Sequence, residues 1–248
     1  QKLGDYTSKY LSDKYGNDLK IAIMDFDAAI PEQSKARYGG FLEKLTANGV
    51  NYEIVAQQSF TDGTKTDFST QINAIRNSGC DLVFIPIYAE EASTFLTQAK
   101  GKFAEDVYFF GGDGLDGILG KVSQDVTIAD NVLMMTPFAA DSTAANVQAF
   151  VKAYEAKYSA TPDQFAADAY DAVYVVKAAV EAAGGSVSGA DLAAVMTSLT
   201  VEGVTGTMTW TADGNTNKAA SAILYKDGVG TLFGQNTAES TENTESTE

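Results

Sequence analysis

Residues Asp67–Ile87 read DFSTQINAIRNSGCDLVFIPI, and two hydrophobic periods meet in that stretch. Phe68, Ile72 and Ile75 recur at i, i+4 and i+7, the spacing that lines up apolar side chains on one face of a helix. Asp81–Ile87 (DLVFIPI) is then apolar at nearly every position, as a strand is when both its faces are covered. A helix feeding such a strand is half of a βα unit. Parallel strands need that crossover, because a tight turn cannot join them.

The same alternation extends in both directions. Lys20–Asp25 (KIAIMD) reads as a first strand, Pro31 opens a helical stretch that ends near Asn48-Gly49, and Tyr52–Ala56 (YEIVA) is a second strand. Downstream, Ala89–Lys102 is helical, and Val107–Gly111 (VYFFG) and Val132–Thr136 (VLMMT) are the fourth and fifth strands. Strands alternating with helices predict an α/β fold with a doubly wound parallel sheet. After Pro137 the pattern changes to helices over Ala144–Tyr158, Asp163–Ala183 and Ser188–Leu199, the last with Ser188 as N-cap. Gly206–Trp210 and Ala219–Tyr225 read as a hairpin across the turn Ala212-Asp213-Gly214-Asn215, with a last short strand over Val229–Phe233. Gln235–Glu248 is Thr/Ser/Glu-rich without apolar periodicity, the composition of an acidic disordered tail.

Composition narrows the function classes. Of the 248 residues 45% are apolar, enough for a sizeable core. Lys+Arg 17 against Asp+Glu 33 leaves a net charge of -16, a field that repels phosphate backbones and makes nucleic acid a poor partner. The chain has no His, which removes imidazole bases and His-ligated metals. Cys80 is the single cysteine, so neither an intrachain disulfide nor a Cys-cluster zinc site can form. No apolar run is long enough to span a bilayer. The opening at Gln1 rather than Met reads as that of a processed or truncated product.

In an open α/β sheet, ligands sit beyond the carboxyl ends of the strands. The residues that fall there are Asp25-Phe26-Asp27-Ala28, Tyr88-Ala89-Glu90-Glu91, Gly112-Asp113-Gly114-Leu115-Asp116 and Pro137-Phe138. This rim is acidic and aromatic, with no nucleophile paired to a base and no Gly-rich phosphate loop of standard spacing. It suits a small cationic or zwitterionic ligand. Asp113, between two glycines, has two readings: a ligand carboxylate, or an N-cap of a short helix around Asp116–Leu119. Tyr88 and Phe165 have bland readings too, as a half-buried ring at a strand end and as core. Cys80 reads as a small apolar filler and Pro86 as a break in strand pairing. Ile21–Asp27 (IAIMDFD) with Gly112–Asp116 (GDGLD) also resembles the motifs of haloacid-dehalogenase-type phosphatases. Ala28-Ala29, Tyr88 and the spacing of the acidic pair depart from that pattern.

A broader resemblance runs from Asp5 to about Phe233. Thr66–Phe84 (TDFSTQINAIRNSGCDLVF) is similar to substrate-binding proteins of branched-chain amino acid ABC transporters, which are type I periplasmic binding proteins. Ile85–Lys100 (IPIYAEEASTFLTQAK), Phe109–Leu119 (FFGGDGLDGIL), Thr161–Ala183 (TPDQFAADAYDAVYVVKAAVEAA) and Val204–Asn215 (VTGTMTWTADGN) extend it in the same order. The resemblance implies two Rossmann-like lobes joined by three crossovers, with the first lobe incomplete. Residues 1–18 would end a first-lobe segment, 19–138 form the second lobe, 139–218 return to the first, 219–234 cross back, and 235–248 be the tail.

The resemblance also implies ligand groups: Tyr88 against the ligand, Asp113 on its α-ammonium, Phe165 lining the cleft, and Asp27 and Ala28 in the loop that faces the ligand's side chain. The ligand's carboxylate would need donors from the first lobe. Phe26–Ser34 (FDAAIPEQS) departs from the family, and Pro31–Phe41 resembles sugar-binding type I proteins. The expectation is an extracytoplasmic binding protein, not an enzyme. It would carry an amino acid of branched-chain or other apolar type to a membrane permease, as a monomer, with no cofactor or metal. A signal sequence or lipid anchor would lie upstream. A sugar-specific binding protein, or the ligand-binding domain of a membrane receptor, would share the fold.

Overall fold

The computed structural model describes residues 18–26, 31–218 and 220–233, with the side chains of all of these except 31–38 and 232. The sheet at its centre is organised by β1 (Leu19–Phe26), which pairs in parallel with β2 (Tyr52–Phe60) on one side and β3 (Leu82–Phe84) on the other. Strands β4 (Tyr108–Gly111) and β5 (Val132–Thr136) continue in parallel, giving the order 2-1-3-4-5. Helices α1 (Pro31–Ala47), α2 (Ser69–Asn77) and α3 (Ala89–Ala99) supply the first three crossovers, and the short α4 (Ile118–Lys121) lies before β5.

Residue alternation divides the core into two layers. Leu19, Ile21 and Ile23 share one cluster with Leu82, Phe84, Phe110, Leu133 and Met135, and Phe41 and Leu45 of α1 pack into it. Ala22 and Met24 share the other with Val83, Phe109, Val132 and Met134, packed by Phe68, Ile72 and Ile75 and by Ala92, Phe95 and Leu96 of α3. The Phe41 and Phe84 rings stack at 5.1 Å, and Phe68 meets Phe95 edge-on at 5.8 Å. Each such side chain taken fully out of water stabilises the fold by roughly 1.5–3 kcal/mol.

Strand lengths depart from the periodicity in two places. Strand β2 continues past Ala56 to Phe60. It is an edge strand, so its polar Gln57 and Gln58 hide its length from a search for apolar runs. Strand β3 stops at Phe84, short of Ile87, because Pro86 has no N–H to continue the ladder.

Helices α5 (Ala145–Tyr158), α6 (Gln164–Ala182) and α7 (Gly189–Met196) follow β5. Val147, Phe150 and Val151 of α5 and Ala167 of α6 form a third cluster with Phe138 and Val204. No helix among the described residues is long and apolar enough to cross a membrane.

The expected hairpin is corrected. Its two arms enter different sheets: β6 (Val201–Gly203) and β7 (Gly206–Met208) pair with each other, while β8 (Ser221–Lys226) adds antiparallel to β5 and then pairs with β9 (Val229–Leu232). The turn at 212–215 exists, closed by a Trp210–Thr216 bridge and by Thr211 N–H donating to the Asn215 carbonyl at 2.9 Å. A turn signal marks where a chain reverses; burial decides what its arms join. Ala222, Ile223 and Tyr225 of β8 are buried where they extend the large sheet. The expected tail, 235–248, and all but the last residue of the expected first-lobe segment, 1–18, lie outside the described residues.

Asp171 of α6 ties the small sheet down. It is 2% exposed, and its carboxylate accepts from Val204 N at 2.8 Å, Thr205 N at 2.9 Å and Thr205 Oγ1 at 2.5 Å. Gly203 makes room for it, since a Cβ there would lie 2.3 Å from a carboxylate oxygen. Asp171→Ala leaves these buried donors without their acceptor. It is expected to lower stability by about 3 kcal/mol or more, read as a drop in the urea midpoint at unchanged slope; a shift below about 0.5 kcal/mol refutes the role.

Burial pushes the Tyr225 phenol up from 10.0 to about 12, with Asp116 adding to the rise. Between those pH values the native state keeps a proton that the unfolded state has lost, so stability falls as pH rises from 10.0 to about 12. Tyr225→Phe is expected to flatten this alkaline loss in urea titrations; an identical slope in the variant counts against it.

Candidate functional site

The carboxyl ends of the parallel strands open on one hollow of about 750 Å³. Phe26, Phe60, Phe84 and Met135, from the ends of β1, β2, β3 and β5, give it apolar lining. Pro86, Ile87 and Tyr88 follow β3, Gly112–Gly114 follow β4, and Pro137 follows β5; Asp62, Glu91, Lys218 and Ala220 complete it. Five parallel strand ends around one hollow form the crevice in which an α/β sheet holds a ligand.

Tyr88 and Asp113 come together in this hollow because the 112–114 loop runs hard against the end of β3. A Cβ on Gly114 would sit 2.9 Å from the Ile87 carbonyl oxygen and 3.3 Å from Tyr88 Cδ1. Tyr88 precedes α3, its carbonyl accepting Ala92 N at 2.9 Å, and its side chain is 71% exposed rather than packed. The half-buried reading of Tyr88 is therefore corrected.

Asp113 opens a 3-10 turn, Asp113–Leu115, and caps nothing. The residue before α4 is Gly117 at φ 82, a left-handed position that glycine adopts without strain. The carboxylate that holds the loop is Asp116, which accepts from Gly117 N at 2.9 Å and from Gln164 N at 2.7 Å. Burial pushes its carboxyl above the usual range, against the pull of those two hydrogen bonds. Buried Gln164 adds two more links: it accepts from Thr136 Oγ1 at 2.9 Å and donates to the Asp113 carbonyl at 2.8 Å. Thus α6 starts pinned to the loop that carries Asp113. The sequence places Asp116 on the rim but not in this holding role, since a Gly-Asp-Gly-Leu-Asp run shows two acids and not which one faces inward, and Gln164 escaped the sequence reading.

The exposed Asp113 carboxylate has no hydrogen-bond or ion-pair partner among the described residues. The other acids of the hollow do: Lys65 lies 3.1 Å from Asp62 and 3.5 Å from Glu91, and these contacts raise the lysine's pKa. Lys218 Nζ lies 2.5 Å from Asp168 Oδ1. An unpaired carboxylate over an apolar, ring-bearing floor can hold an ammonium group whose attached carbon skeleton is apolar.

The remaining sequence candidates separate. Phe165, in the first turn of α6, is 46% exposed and does not line the hollow. Asp27 and Ala28 lie outside the described residues, although Phe26 just before them is in the lining. Asp25, the first acid of the IAIMDFD run that resembles a phosphatase motif and so the acid that would attack phosphate there, is fully buried, where a phosphate ester cannot reach it. Among the described residues no group of three or more Cys, Asp or Glu could hold a metal ion.

A family model described as periplasmic binding protein matches residues 1–227. The chain is 27% identical over 169 residues to the Leu/Ile/Val-binding protein homolog 7 of Brucella abortus, covering 65% of this chain and 41% of that one. It superposes with a TM-score of 0.73 and 29% identity on the branched-chain amino acid transporter substrate binding protein LivJ of Streptococcus pneumoniae, solved with isoleucine, covering 93% of this chain and 64% of that one. A solute binding protein of R. palustris in complex with benzoate shares the fold at a TM-score of 0.77 and 23% identity, with coverage of 94% and 62%. The chain spans about two fifths of the first relative's length and under two thirds of either solved structure's.

The close approach of the 112–114 loop to β3 is testable with two glycines. Gly114→Ala is expected to lower stability by about 1–3 kcal/mol through overpacking against backbone. Gly112→Ala, where a Cβ meets nothing within 4 Å, is expected to stay within about 0.5 kcal/mol of wild type. Equal effects in thermal or urea unfolding would overturn the packing account.

Proposed function

We propose, for a chain that belongs to the periplasmic binding protein family, that it is an extracytoplasmic solute-binding protein. It captures an amino acid with an apolar side chain and passes it to an ABC permease without altering it. The observation that carries this reading is the unpartnered Asp113 carboxylate beside exposed Tyr88 in a hollow lined by Phe26, Phe60, Phe84 and Met135.

In this reading Asp113 receives the ligand's α-ammonium. A charge-assisted hydrogen bond is roughly twice as strong as a neutral one, and it strengthens further as closure of the cleft expels water. Tyr88 covers the bound molecule from the open side, and the Phe and Met side chains take up its apolar part. Phe165 does not line this hollow, and its ring stands exposed in the first turn of α6. The closed form presents a surface to the permease that the open form lacks, the general way in which hinge closure signals occupancy. The names of two relatives, a Leu/Ile/Val-binding protein homolog and a branched-chain amino acid transporter substrate binding protein solved with isoleucine, support the amino acid class.

Calorimetry on the intact protein against a panel of amino acids, sugars and benzoate tests the proposal. Binding is expected for apolar amino acids. Asp113→Asn is expected to weaken it by roughly 10- to 100-fold, the size of a lost hydrogen bond to a charged group at about 1.5–3 kcal/mol. A protein that binds no amino acid, or an Asp113→Asn variant as tight as wild type, would sink it.

A further inference from the structure

We infer that Lys218 is a specificity-determining residue of the same site, the group that reads the ligand's carboxylate while Asp113 reads its ammonium. The inference rests on the amino acid reading above and adds to it a second charged contact from this chain.

Lys218 is the one basic residue among the described residues that line the hollow, against three acids. It enters from the segment before β8. Ser221, the first residue of β8, pairs with Thr136 at the carboxyl end of β5. Lys218, three residues earlier, therefore emerges beyond the same strand ends as Asp113, two residues past Gly111. Strands β4 and β8 flank β5 on its two sides, so their backbones lie about 10 Å apart at the sheet's usual spacing. An α-amino acid held between a carboxylate and an ammonium by two charge-assisted hydrogen bonds spans about 8–9 Å, with each bond near 2.8 Å. The side chains of Asp113 and Lys218 can set that gap.

The chemistry of the lysine agrees. Its side chain is 22% exposed, and its ammonium group carries three donors. One is used on Asp168 Oδ1 at 2.5 Å. Asp168 lines a separate hollow on α6, with Trp210, Met208 and Leu192, and Lys218 lines both. Lys218 thus lies on the border between the two hollows, with its ammonium tethered on the α6 side and two donors left over. The tether orients the lysine. The Asp168 partner is 40% exposed, and an ion pair so open to water adds little to stability.

The test compares leucine with isopentylamine, which is leucine without its carboxylate, by calorimetry on the intact protein. Wild type is expected to prefer leucine by at least 50-fold. Lys218→Met is expected to weaken leucine at least 10-fold and to leave isopentylamine within twofold; Lys218→Arg, which keeps the charge, is expected to hold leucine within fivefold. Asp168→Asn loosens the tether but keeps the cation, so it should cost leucine less than Lys218→Met does. A Lys218→Met variant that binds leucine as wild type does overturns the inference. So does a parallel loss of both ligands, the sign of a merely structural latch. A wild type that binds neither molecule overturns the amino acid reading and this one with it, whereas leucine binding that depends on Asp113 and not on Lys218 overturns this one alone.

Discussion

A parallel strand covered on both faces and flanked on both sides has no free direction except its ends. That constraint governs the whole molecule. Leu19, Ile21 and Ile23 commit one face of β1 to the layer that holds α1, and Ala22 and Met24 commit the other to the layer that holds α2 and α3. With both faces occupied by helices, the crevice at the carboxyl ends is where polar loops can meet a ligand. The position of the hollow follows from the burial of the sheet and needs no specific site residue to explain it.

What the loops add is exactness of placement without bulk. Gly111 and Gly114 let the chain after β4 lie against the end of β3, because a Cβ at either would meet backbone oxygen at 2.9 Å. Asp116 and Gln164 then fasten that loop to the start of α6 through hydrogen bonds of 2.7 and 2.8 Å. The acid facing inward is spent on structure, and the acid facing out is left for chemistry. The same economy recurs at Asp171, which gathers the turn between β6 and β7 through three hydrogen bonds.

How much of this was legible depends on range. Phe68, Ile72 and Ile75 mark a helix by spacing alone, and all three are fully buried. The apolar runs of β1, β4 and β5 announce strands for the same reason, since two-faced burial leaves its trace at every position. Edge strands leave no such trace, and β2 ran four residues past its visible signal. The 212–215 turn was legible from its residues, but the partners of its arms were not. Pairing is decided by which apolar face lacks cover, and that is a property of the assembled sheet.

The sequence by itself determined the α/β class, the doubly wound order of alternating elements, and the set of residues that must fall at strand ends, Tyr88 and Asp113 among them. Each of these is a local consequence of periodicity and of chain direction. Only the tertiary structure decided that Asp116 faces inward and Asp113 outward, that Phe165 stays out of the hollow, and that Lys218 enters it from a segment more than a hundred residues away. Those outcomes turn on contacts between elements distant in the chain. No short-range pattern records such contacts, because the energy that selects them exists only once the two layers have closed on the sheet.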